Sequence, residues 1–362
     1  MDKKFVMGIA AMAALTLVSC SSDDLDSFSD NSSKNEAISF DGYLGRSAVA
    51  VNGTRGSEET VSTLKTNGFG VFGTYTPTDG QASNLFDNQK VTYFTSTTPT
   101  ESKWTYSPLK FWPANGKIDF LAYAPYDKST KLTEGSKIKD FTVDEDIAKQ
   151  KDLLWTNDMN HQITGNITTA KEKVKFQFHH ALSRLGYTVT LSGDYSSSGA
   201  TFTVNKITLA GSSDGTSKKA FYKKGTIDLS KTNTETGLWT AETSDKQNFD
   251  LVSSDQPLNQ TGIKSDKNYL FVIPQDFTGA DELYVYVEYT INYGGTTGLV
   301  TNKVYKQIKK HFLQGNAYML NLTLGLPIEF DVDVTGVDAG VDGWGTDESI
   351  NIGSNDTPWE RK

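Results

Sequence analysis

Apolar and polar residues alternate with a period of two along almost the whole chain beyond residue 37, and clusters of Gly, Asn, Asp and Ser interrupt the alternation at short intervals. Residues 174–178, 185–191, 283–291 and 318–324 each put apolar side chains on one face of an extended strand and polar ones on the other. The same pattern recurs in 38–44, 118–122 and 328–334. No window long enough for a multi-turn helix carries a helical stripe; 144–151 and 180–184 are short enough to be single helical turns between strands. The pattern therefore predicts an all-β chain. Antiparallel strands that solvate one face must bury the other against a second sheet, which gives β-sandwiches of Greek-key type rather than a parallel α/β fold. The length fits two such units in tandem, an N-terminal sandwich over 38–184 and a C-terminal sandwich with a terminal tail over 185–362.

The first 37 residues follow a different logic. Lys3 and Lys4 precede an apolar run over 5–18, too short to span a bilayer and typical of a signal-peptide core. The run ends at Leu17-Val18-Ser19-Cys20, where small residues before the chain's sole cysteine resemble a bacterial lipobox. Residues 1–19 thus read as a lipoprotein signal peptide and Cys20 as the lipidation site. Residues 20–37 carry five acids against Lys34 and many Ser and Asn, the composition of a solvated tether, and Ser21 after the cysteine resembles lipoproteins sorted to an outer membrane.

Composition then excludes several classes of function. A formal charge of -9 gives no positive field for phosphate backbones, so nucleic acid is not an expected partner. One Cys and four His cannot build a disulfide framework or a structural zinc site, and no metal or cofactor is expected. Two letter matches to catalytic or nucleotide motifs fail on context. Gly68-Phe69-Gly70-Val71-Phe72-Gly73 fits G-x-G-x-x-G but runs on into strand and turn residues, without the helix N-terminus that would hold a pyrophosphate. Gly211-Ser212-Ser213-Asp214-Gly215 fits G-x-S-x-G, but Asp-Gly signals a turn, and His311 is the only later histidine. His179 and His180 fall on opposite faces of one strand and cannot share a metal; His180 is expected in the core. The acids between Asp331 and Glu348 match no calcium-loop spacing. Trp104, Trp112 and Trp155 are expected to fill cores, whereas Trp344 and Trp359, in a Gly- and Asp-rich stretch, are expected at the surface. No constellation supports catalysis, so the chain is not expected to be an enzyme.

Several longer motifs remain, and their order and spacing carry a resemblance. They are the lipobox; Phe69-Gly70-Val71-Phe72 after Thr54-Arg55-Gly56; residues 104–113, which begin Trp104-Thr105-Tyr106; residues 118–125; Lys151-Asp152-Leu153-Leu154-Trp155; residues 176–185; and residues 315–324. Together they resemble the fimbrillin family, the Mfa-like subunits of type V pili made by Gram-negative anaerobes. The resemblance implies two transthyretin-like sandwich domains, no enzymatic activity, and a lipoprotein precursor displayed on the outer membrane and built into a fimbrium with other pilus subunits, as a homo- or heteropolymer. It also implies an arginine-specific surface protease that cuts after the first strand, whose loss opens a groove for an extended strand from another subunit. In this chain the first strand would carry Ile38, Phe40 and Leu44, and the cut would fall at Arg55 or Arg46. The donor strand would be either 328–334, with Ile328, Phe330, Val332 and Val334, or the tail over 337–352. The tail departs from that of a plain stalk subunit, so a tip or anchor subunit, or a non-polymerising surface adhesin that binds a host protein or glycan, stands as the alternative.

Overall fold

The computed structural model describes residues 37–44, 58–98, 102–163, 173–232, 237–265, 268–294, 299–326, 348–352 and 359–361. Its elements are strands almost throughout, as the alternation predicts. The first half contributes β1 (Phe40–Leu44), β2 (Phe69–Thr76), β3 (Ser83–Phe94), β4 (Lys103–Thr105), β5 (Gly116–Ala124), β6 (Lys137–Thr142), β7 (Leu154–Ile163) and β8 (Val174–His180). All but β6 join one seven-stranded sheet in the order β1-β8-β7-β5-β2-β3-β4.

That sheet curls around an aromatic core. Its inward residues include Phe69, Phe86, Phe120, Phe176 and Phe178, all but excluded from solvent, together with Trp104 and Trp112. The strict alternation of β8 is reproduced in its burial: Val174, Phe176, Phe178 and His180 point in, and Lys175 and Gln177 point out. The curl brings the two ends of the sheet together, so that β1 lies beside the segment that carries β4. The opposite face, with Phe72, Leu121, Tyr123 and Trp155, packs against the second half of the chain.

The second half begins with β9 (Ser183–Leu191) and β10 (Thr201–Ala210). One sheet orders Phe249–Val252, β10, Tyr284–Asn292, Leu299–Gln307 and Glu360–Arg361; another orders Ile263–Lys264, β9, Ala317–Leu324 and Glu348–Ile352. Pairing is antiparallel except where β1 meets β8, β9 meets Ala317–Leu324, and Ala317–Leu324 meets Glu348–Ile352. In each exception the partners are far apart in sequence, so a long connection rather than a hairpin joins them and either direction is open.

The halves are stitched as well as packed. Strand β6 leaves the first-half sheet and pairs with Lys224–Asp228. Gln150 accepts from the Phe271 amide through Oε1 at 2.8 Å, and Asn157 Nδ2 donates to the Leu229 carbonyl at 2.7 Å.

Two local expectations are corrected, and one element is added. Residues 180–184 form no helical turn: β8 runs to His180 and β9 starts at Ser183, with the Ala181 amide tied to the Leu153 carbonyl at 2.8 Å. Trp359 is not at the surface; it is buried, and its indole N–H donates to the Thr323 carbonyl at 2.8 Å. One helix, α1 (Val61–Asn67), was not signalled by the alternation. A capping box of Thr60 and Thr63 opens it, and Gly68 closes it with a positive φ while its amide bonds the Leu64 carbonyl. The single turn over 144–151 is present as Ile147–Lys149, and Trp344 lies outside the described residues.

Candidate assembly site

β1 is the element on which the sequence analysis placed its site, and its side chains explain why it is a strand. Along Phe40-Asp41-Gly42-Tyr43-Leu44 burial alternates strictly, with Phe40, Gly42 and Leu44 inward and Asp41 and Tyr43 outward. Ile38, just ahead of the strand, is also buried. Ile38, Phe40 and Leu44 therefore enter one core together, as expected of a first strand.

Each inward position has its own surroundings. The Phe40 ring sits among Phe86 at 5.4 Å, Tyr106 at 5.4 Å, Phe120 at 5.9 Å and Phe176 at 5.6 Å between centroids, mostly edge-to-face or tilted and stacked only on Phe176. Gly42 faces two rings: a Cβ placed there would stand 2.9 Å from Phe69 Cε1 and 3.4 Å from Phe178 Cε2. No side chain fits without moving a ring, which accounts for a glycine in the middle of a strand.

The backbone of β1 is held on both sides by different means. On one side it runs parallel to β8, from Phe40 opposite Val174 to Leu44 opposite Phe178, and the Val174 amide reaches the Ser39 carbonyl at 2.9 Å. On the other side side chains do most of the work. Trp104 Nε1 donates to the Gly42 carbonyl at 3.2 Å, and the Tyr106 hydroxyl donates to the Ile38 carbonyl at 2.6 Å. Burial pushes the Tyr106 phenol up to about 12, so it remains a donor throughout the physiological range. The Ile38 amide donates to the Lys110 carbonyl at 2.8 Å. β1 thus fills a slot whose two walls belong to segments of the chain more than fifty residues away.

A few residues beyond Arg55, the chain is pinned. The Glu59 amide donates to Asp152 Oδ2 at 2.8 Å, and Asp152 pairs with His180 Nδ1 at 2.9 Å in a site closed to solvent. The Glu59 carboxyl accepts from Thr63 Oγ1 at 2.8 Å and from Asn67 Nδ2 at 2.7 Å. Desolvation raises its pKa to about 7, the Thr63 hydrogen bond opposing and the Asp152 charge adding to the rise. Glu58 Oε1 pairs with Arg184 Nη1 at 2.7 Å, and the Arg184 guanidinium lies 4.3 Å over the Tyr269 ring. Residues 58–67 are therefore fastened to the ends of β7, β8 and β9 independently of β1.

Of the residues singled out in the sequence, Cys20, Arg46, Arg55, Ile328, Phe330, Val332 and Val334 lie outside the described residues. Glu348–Ile352, within the second candidate donor segment, is an edge strand of its own chain's sheet. The residues that sequence reasoning missed are Gly42, Trp104, Tyr106, Glu58, Glu59 and Arg184. Gly42 was visible as a glycine inside an alternating strand, and Trp104 and Tyr106 as members of a quoted motif. The segment at 58 and 59 gave no signal of its pinning, because the groups that tie it to the rest of the chain, Asp152 at the Glu59 amide and Arg184 at the Glu58 carboxylate, are 93 and 126 residues away.

The two letter-match motifs are structural. Gly68-Phe69-Gly70-Val71-Phe72-Gly73 caps α1 and forms β2, with Gly70 packed against the Tyr123 ring and Gly73 against Phe86. Gly211–Gly215 is a turn in which Asp214 accepts from the Thr216 and Ser217 amides. Among the described residues no group of three His, Cys, Asp or Glu is placed to hold a metal ion, and no helix is long and apolar enough to cross a membrane.

Comparison with known proteins bears on the same architecture. Fimbrium subunit Fim1C of Phocaeicola vulgatus is 28% identical over 397 aligned positions that take in 95% of this chain and 97% of that protein. The crystal structure of a fimbrial protein from Bacteroides vulgatus superposes with a TM-score of 0.53 at 20% identity, over 80% of this chain and 95% of that one, which shows a shared fold. The sequence profile of the fimbrillin-like proteins matches residues 54–344, most of the chain and nearly all of the sheets described above, and the chain belongs to that family.

Proposed function

We propose that this protein is a structural subunit of a cell-surface fimbria and joins its neighbours by exchange of β1 for a strand of another subunit. The observation that carries the reading is the slot itself. β1 is short, terminal in its sheet, and packs Phe40 and Leu44 into the core while Asp41 and Tyr43 face out, and one of its walls is made by the Trp104 and Tyr106 side chains rather than by a hydrogen-bonded ladder. A terminal strand can leave without unthreading a core. What it leaves is a row of β8 backbone groups above an aromatic trough, which an extended peptide fills by strand addition.

In this reading a protease cuts at Arg55 or Arg46, and the pinned segment from Glu58 onward keeps the rest of the domain in place when β1 goes. Lipidation at Cys20 delivers the precursor to the outer membrane, and the protein performs no chemistry of its own. Membership of the fimbrillin-like family supports this reading, as does the name of the Phocaeicola relative. The test is a double substitution, Arg46→Ala with Arg55→Ala, expressed in place of the native gene. The expected outcome is an uncut, lipid-anchored precursor and loss of the SDS-resistant ladder of polymers; a normal ladder refutes the proteolytic step.

A further inference from the structure

The slot has one position where size is restricted, and we propose that this position selects the incoming strand: it takes a strand with glycine in the place of Gly42, from a different subunit, and rejects residues 328–334 of a second copy of this chain. The inference rests on the strand-exchange reading above and specifies its partner.

The register is fixed by the walls. The Tyr106 hydroxyl and Trp104 indole bind the carbonyls of positions 38 and 42, and β8 pairs the strand from position 40 to position 44. A replacement that uses the same donors places its side chains where those of Ile38, Phe40, Gly42 and Leu44 now lie. Three of these places are roomy, each burying a large side chain. The third in order is not. A Cβ there meets Phe69 at 2.9 Å, and Phe69 cannot swing away, since its ring is wedged against Trp104 at 4.9 Å, Phe178 at 5.2 Å and Phe176 at 5.9 Å. Phe69 is itself wholly buried. A β-branched residue at this place would force several packed rings to move together.

The chain's own 328–334 segment can be compared with β1 position by position. Ile328-Glu329-Phe330-Asp331-Val332-Asp333-Val334 repeats the Ile-x-Phe-Asp order of Ile38-Ser39-Phe40-Asp41, and then puts Val332 where β1 has Gly42. Sliding the segment by four residues brings Gly336 to the tight place but sets Asp338 in the buried place of Leu44, where a carboxylate has no partner. Neither register reproduces β1. The slot therefore calls for a strand of the pattern large-x-aromatic-x-Gly-x-large, which its own copy does not supply in 328–338.

The experiment uses the full chain, with a specific protease site placed between residues 45 and 57 and cut in the folded state. Labelled peptides are added in excess and their uptake into the nicked protein is measured after gel filtration. The peptides are the 37–44 sequence, the same peptide with Gly42→Val, the 328–334 sequence, and that sequence with Val332→Gly. The expected result is uptake of the Gly42 peptide, about tenfold or more weaker uptake of the Gly42→Val peptide and of 328–334, and recovery with Val332→Gly. A Phe69→Leu protein should take up the Gly42→Val peptide better than the parent does. Equal uptake of the Gly42 and Gly42→Val peptides overturns the selection while leaving strand exchange intact. Failure to take up even the 37–44 peptide overturns the exchange reading and the selection with it.

Discussion

Removing the Phe40 ring is the sharpest perturbation of the β1 slot that leaves the backbone contacts alone. The side chain is 3% exposed and touches four aromatic rings whose own positions are fixed by one another, so Phe40→Ala leaves a cavity that cannot collapse. Such a change costs about 3–5 kcal/mol. In a chain nicked between residues 45 and 57, β1 is held by noncovalent contacts only, and at about 1.4 kcal/mol per decade this loss weakens its retention by about two to three and a half decades. Most of that change should appear in the off-rate. The assay is release of a fluorescent label on the N-terminal segment, followed by anisotropy after unlabelled 37–44 peptide is added. Tyr43→Ala is the internal control, because Tyr43 is adjacent but 44% exposed, and surface changes stay within about 0.5 kcal/mol. If Phe40→Ala releases β1 within threefold of the parent rate, or if Tyr43→Ala accelerates release as much, the packing argument for the slot is wrong.

Three further outcomes follow from the surroundings of the slot. Because burial holds the Glu59 pKa near 7 in the folded chain against 4.5 ordinarily, the native state keeps a proton that the unfolded state releases between those values, and stability falls as pH rises through that window. The loss approaches about 3 kcal/mol above pH 8, and Glu59→Gln should flatten it when denaturant midpoints are compared from pH 5 to pH 8. Arg184→Met removes the ion pair to Glu58 and the guanidinium from over the Tyr269 ring and should destabilise by about 1.5–3 kcal/mol, with the two changes less than additive in a Glu58→Gln double variant. Trp359→Phe removes the donor to the Thr323 carbonyl and should cost about 1–2 kcal/mol, read as faster hydrogen exchange in Ala317–Leu324.

Period-two alternation carried most of the fold. Residues 174–178, 185–191, 283–291 and 318–324 fall in strands because each buries one face, and a one-residue slip would expose every apolar side chain at once. What alternation does not encode is direction or distant partnership. It could not show that β1 runs parallel to β8, nor that β6 leaves its own half to pair with Lys224–Asp228. Helix α1 escaped notice because its seven residues bury only Leu64, and its capping residues are two threonines rather than a hydroxyl and an acid. Trp359 was misplaced because the Gly- and Asp-rich composition around it speaks for its neighbours, while its own hydrogen-bond partner is 36 residues away. At the site, the inward residues of β1 were legible from spacing. The walls were not, since Trp104, Tyr106 and Lys110 meet β1 only through the curl of a seven-stranded sheet. The pinning of Glu58 and Glu59 is likewise a product of tertiary structure.

The central claim is that β1 is replaced in the assembled fibre. Polymers recovered from the cell surface, analysed by N-terminal sequencing and intact mass after dissociation of the SDS-resistant ladder, test it most directly. The account predicts subunits that begin just after Arg55 or Arg46 and lack Ile38, Phe40 and Leu44 altogether. Polymers whose subunits still begin at a lipidated Cys20 and retain residues 38–44 would contradict it.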